Sequence, residues 1–116
     1  MIAVIFELHP AEDSEQDYFD QAAKLAPLLA DLEGFLSVER FASLSQPGKF
    51  LSLSFFKDEE AVARWRRTVE HRSSQALGRA GVFADYRLRV AEVQRDYGLK
   101  ERTQAPADSR AVHNEV

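Results

Sequence analysis

FLSVERFASLSQPGKFLSLSFF, residues 35–56, places two alternating runs on either side of a turn signal. In the first, Phe35, Ser37, Glu39 and Phe41 fall on one side and Leu36, Val38 and Arg40 on the other. In the second, Leu51, Leu53 and Phe55 alternate with Ser52 and Ser54. A period of two is that of a strand. Pro47-Gly48 supplies the turn, and strands joined by so short a connection pair as an antiparallel hairpin.

Upstream, Ile2, Val4, Phe6 and Leu8 alternate along a nearly all-apolar strand that His9-Pro10 ends, since proline offers no N–H to a ladder. A helix follows, with Asp13 or Ser14 expected to cap it through a side-chain oxygen. Tyr18, Ala22, Leu25, Leu29 and Leu32 line one face of that helix, Pro27 is expected to bend it, and Gly34 stops it.

Downstream lies DEEAVARWRRTVEHRSSQAL, residues 58–77, which Asp58 caps. Val62, Trp65, Val69, Arg72 and Ala76 share a face of this second helix. His71 lies six residues past Trp65, about 600° of rotation, at the edge of the same stripe. Gly78 and Gly81 break the helix. The last strand is expected over Phe83–Tyr97, with Tyr86, Leu88 and Val90 against Asp85, Arg87 and Arg89. A shift of apolar phase at Ala91 and Val93 predicts a bulge or bend there.

The order strand, helix, strand, strand, helix, strand, with a central hairpin and right-handed crossovers, is the ferredoxin-like β-α-β-β-α-β arrangement of an α+β domain. Helices cover one face of a four-stranded antiparallel sheet. The opposite face is also apolar, so a second subunit laid sheet to sheet is expected to cover it in a symmetric homodimer. Residues 1–98 form this domain, and residues 99–116 are a polar, aperiodic tail expected to stay loose or to cross onto the partner.

The chain has 116 residues, 45% of them hydrophobic and 29% charged, enough for one core without disulfides or a structural metal. A net charge of −4 gives no basic field for nucleic acid. There is no cysteine, which excludes disulfides and thiolate chemistry. The start MIAVIFELHP is too short for a membrane span and lacks a signal-peptide layout, so a cytoplasmic protein is expected. No clustered histidines point to a metal, and no glycine-rich loop points to a dinucleotide.

The stretches GFLSVERF, FLSLSFFKDEEAVARWRRTVEHR and FADYRLRVAEVQRDYG resemble, in order, the antibiotic biosynthesis monooxygenase domain family of dimeric α+β barrels. The resemblance covers residues 2–98. It implies, in the polyketide-oxygenase branch, chemistry without a cofactor: a small aromatic or quinol substrate, once deprotonated, reduces O2 itself inside a dry pocket. Trp65 matches the family's pocket tryptophan. His71 stands where those oxygenases place a tyrosine, with a side chain able to take a proton near neutral pH. Arg87 matches a pocket arginine that holds a phenolate, with Tyr86 its competitor one residue away. Arg72, Tyr86, Phe55 and Phe19 complete the expected substrate contacts. The alternative is a non-catalytic dimeric binding or stress-related domain, its cavity closed by Phe19, Phe55 and Trp65. Haem degradation ranks last, because the first strand offers no asparagine and His71 lies too close to Trp65 for that branch.

Overall fold

The computed structural model describes residues 1–76 and 81–114, with side chains described outside 70–80 and 111–116. Its elements are β1 (Ile2–Pro10), α1 (Glu15–Ala30), β2 (Phe35–Ala42), β3 (Phe50–Phe56), α2 (Glu59–Ala76), β4 (Phe83–Glu92) and α3 (Ala107–Asn114). The four strands form one sheet in the order β2-β3-β1-β4, every neighbouring pair antiparallel. This is the ferredoxin-like order expected from the central hairpin.

Ile2, Val4 and Leu8 of β1 are buried, so the even-numbered side chains of this strand face the helices. The core beneath the helices falls into two groups along the sheet. Ile2, Val4, Phe56, Ala61 and Val62 make one, with Leu32, Phe35 and Trp65 packed against it. Leu8, Tyr18 and Val82 make the other, flanked by Phe6, Phe19, Phe50 and Phe83. Small side chains separate the aromatic ends of β3, since Ser52 and Ser54 lie opposite Phe6 and Val4.

α2 starts as its sequence indicates: the Asp58 carboxylate accepts the Ala61 N–H at 2.9 Å. α1 starts differently. Ser14 occupies the cap position without a side-chain hydrogen bond, and Asp13 adopts the left-handed region at φ 64°. Backbone groups hold this end instead, the Ser14 N–H donating to the Ala11 carbonyl at 2.9 Å. Pro27 does not break α1, which runs unbroken through it. Pro27 and Ala23 are both exposed, so the carbonyl that loses its donor is on the wet side of the helix.

Two strand readings need correction. β2 carries an extra residue between Phe35 and Ser37, so Phe35 and Val38 pair onto the helix-facing side. Phe35 therefore packs under α2 and does not share a side with Ser37. β4 ends at Glu92 rather than Tyr97, and its register shift falls at the other end, opposite His9 and Pro10. Among the described residues no helix is long and apolar enough to cross a membrane.

Candidate functional site

Trp65 sits half-buried on α2, its ring 5.8 Å from that of Phe56, over the group that includes Val4. Val4 pairs directly with Val90 of β4; Phe6 pairs with Leu88 and Leu8 with Tyr86. Tyr86, Leu88 and Val90 thus form a row on the helix-facing side, beginning beside the support of Trp65. All three are exposed, Tyr86 to 59%. The Tyr86 ring closes the far end of the row, 5.5 Å from Phe6 and 5.8 Å from Phe83. Aromatic contacts at these separations are favourable and hold the ring while its hydroxyl stays in water.

Phe19 belongs to the second group, edge-on to Phe50 at 5.1 Å and 5.3 Å from Tyr18. Beside it the Arg40 Nε donates to the Tyr18 hydroxyl at 3.4 Å. Phe55 and Arg87 lie on the opposite face. Phe55 pairs with Ala3, and Arg87 pairs with Glu7, both odd-numbered positions of β1. The sheet therefore separates Phe55 and Arg87 from Trp65 and leaves Tyr86 on the same face as Trp65, at the other end of the row. The side chains of His71 and Arg72 lie outside the described residues.

The opposite face has its own electrostatics. Glu7 accepts a hydrogen bond from Arg89 at 3.2 Å and lies 3.7 Å from Lys49. The Arg89 hydrogen bond, then the Lys49 charge, hold the Glu7 carboxyl below its ordinary range. Among the described residues no group of three or more histidines, cysteines or acids is placed to hold a metal ion.

The exposed row of β4 was present in the sequence as an alternation, yet alternation does not say that the helices leave it uncovered. Arg64, Arg66 and Arg67 form a charged run on α2. The Arg64 Nε is buried with no hydrogen-bond partner among the described residues, whereas Arg66 and Arg67 are exposed.

The family profile described as antibiotic biosynthesis monooxygenase matches residues 1–77, two thirds of the chain. The chain belongs to this family. Jasmonate monooxygenase ABM of Pyricularia oryzae is 47% identical over 93 residues, covering 80% of this chain but 43% of that protein. This antibiotic biosynthesis monooxygenase domain thus spans less than half of that relative. The Bacillus subtilis protein YqjZ is 32% identical over 101 residues, covering 87% of this chain and 86% of that one. Among solved structures, SnoaB, a cofactor-independent oxygenase from Streptomyces nogalater, superposes with a TM-score of 0.67 at 10% identity, over 82% of this chain and 94% of that one. A Mycobacterium tuberculosis protein gives 0.69 at 13% identity, over 84% and 98%. At such identities the structures speak for the fold alone. It is the fold read from residues 35–56 outward.

Proposed function

We propose that this antibiotic biosynthesis monooxygenase domain is a cofactor-independent monooxygenase of a small aromatic or quinol substrate, acting as a homodimer. One observation carries the reading: Trp65 and the exposed row Tyr86, Leu88 and Val90 share the helix-facing side of the sheet. A flat hydrophobic molecule laid along that row gains about 25 cal/mol for each Å² of apolar surface removed from water. Its edge then lies beside the Tyr86 hydroxyl, which replaces Arg87 as the group that meets a phenolate. Arg87, on the other face, serves the contact between subunits. That face, with Ile5, Leu51, Leu53 and Phe55, is the apolar surface a second copy covers.

His71 takes the substrate proton, a role worth about 10²- to 10⁴-fold in rate for a well-placed base. The resulting anion reduces O2 without an external donor. For a methylene carbon between aromatic rings, one oxygen atom becomes the carbonyl and the other leaves as water: CH2 + O2 → C=O + H2O. All four electrons come from the substrate. Trp65 excludes water and offers its indole N–H to the developing charge.

The 47% identity to a protein named for jasmonate favours a second reading, a hydrophobic carboxylic acid as substrate. Hydroxylating a saturated carbon needs two electrons beyond those the substrate supplies, so it requires an added reductant. Oxygen uptake by the purified chain on a quinol and anthrone panel, with and without a reductant, separates the two. The expected result is one O2 per substrate without reductant, falling at least tenfold in Trp65→Phe and in His71→Ala. Uptake unchanged in both variants removes these assignments. Quenching of the chain's single tryptophan by the same compounds without uptake indicates a binding domain instead.

A further inference from the structure

We infer that residues 94–114 form an arm that docks on a second copy of this chain, with Leu99 seated in a groove on that copy's sheet. The inference rests on the homodimer proposed above and adds what the two copies exchange.

Residues 94–114 are organised by their own contacts. Arg102 is the hub: its Nη1 donates to the Gly98 carbonyl at 2.9 Å and its Nη2 to the Ser109 carbonyl at 3.4 Å. Its guanidinium lies 5.2 Å from the centre of the Tyr97 ring. The Asp96 N–H donates to Gln104 Oε1 at 2.8 Å, and the Gly98 N–H to the Glu101 carbonyl at 2.7 Å. Ala105 is 2% exposed. This is a folded unit, unlike the loose tail that its composition suggests.

The unit nevertheless stands away from the body. The radius of gyration is 17.1 Å and the molecule is 55 Å long, whereas a compact chain of this length has a radius of about 13 Å. α3 has only eight residues, and isolated helices shorter than about 12–15 residues are marginal in water. Such an arm needs a surface to rest on. It also presents apolar side chains to find one: Leu99 is 79% exposed at the tip of the Gly98–Glu101 turn, and Tyr97 is exposed too.

The matching surface lies at the arm's root. A groove of about 370 Å³ opens on the sheet face away from the helices, its lining made of Met1, Leu36, Phe55 and Val93 together with the polar Ser37, Arg95 and Asp96. Leu36 is 53% exposed there, turned outward by the extra residue in β2. Sheets stacked face to face lie about 10 Å apart. The three residues from Asp96 to Leu99 span at most about 10 Å. An arm rooted at one groove therefore reaches the facing groove when the two lie side by side at the twofold axis. The partner's arm makes the reciprocal contact.

The chain has no cysteine, so introduced thiols are the only ones present. Full-length Leu36→Cys and Leu99→Cys variants, one with a longer tag, are mixed, allowed to exchange subunits and oxidised. The expected product is the disulfide between tagged and untagged chains, at least fivefold over either variant alone, with a dimeric mass by light scattering. In the double variant the expected product is a covalent dimer. A link within one chain, or links only between two Leu99→Cys chains, overturns the inference. A dimeric mass with no link overturns the arm and leaves the dimer standing, and a monomeric mass overturns both.

Discussion

Replacing Gly34 by alanine tests how tightly the end of α1 is held against α2. Gly34 has φ +86°, in the left-handed region that costs a residue with a side chain about 1–2 kcal/mol. A Cβ built there comes 2.6 Å from the Ala61 Cβ and 3.7 Å from the Lys57 Cβ. Ala61 is fully buried in the core group under Trp65, so it has no room to retreat. Overpacking of this kind costs a further 1–3 kcal/mol or so. The Gly34 carbonyl also accepts the Lys57 N–H at 2.7 Å, so a shift that relieves the clash strains the entry to α2. The expected total is about 2–5 kcal/mol, a large part of the 5–15 kcal/mol that typically separates folded from unfolded domains. Gly48→Ala is the internal control. It has φ +81° with nothing within 4 Å, so it carries the backbone cost alone. Urea unfolding of both variants in one buffer, with m-values checked for constancy, measures the difference. At about 4 °C per kcal/mol for a chain near this size, Gly34→Ala melts roughly 8–20 °C below the parent and Gly48→Ala roughly 4–8 °C below. Equal losses in the two variants refute the close approach of Gly34 to Ala61.

Asp58→Ala removes the carboxylate that accepts the Ala61 N–H and should cost about 0.5–2 kcal/mol by urea unfolding, with Asp58→Asn recovering most of it. Glu7 has a folded pKa below its unfolded one, so its contribution is present above the unfolded value and is lost as pH falls through the folded value. Glu7→Gln should therefore melt below the parent at neutral pH. The gap should close on acidification, and a gap independent of pH from 7 down to 2 contradicts the Arg89 and Lys49 pairing.

Much of the fold was legible because strands and helices leave short-range periods. Leu51, Leu53 and Phe55 against Ser52 and Ser54, with Pro47-Gly48 before them, define a hairpin strand from neighbouring residues alone. The stripe of Val62 and Trp65 and the Asp58 cap likewise depend on contacts within a turn or two of helix. The candidate site was legible in part. Trp65 could be placed on an inward stripe, but a strand's alternation names two faces without saying which one the helices cover.

From the residues in order follow the element types, the antiparallel hairpin and the inward stripe of α2, since each arises between residues close in the chain. Pairings across the sheet decided the rest. Phe50 and Phe56 anchor β3 so that its serines meet the helices and its leucines turn away. The register of β4 against β1 puts Tyr86 on the same face of the sheet as Trp65 and Arg87 on the far side. The extra residue in β2 carries Leu36 out to the groove. These choices join residues distant in the chain, where one residue of slip exchanges every side chain between faces, and only the assembled sheet sets that register.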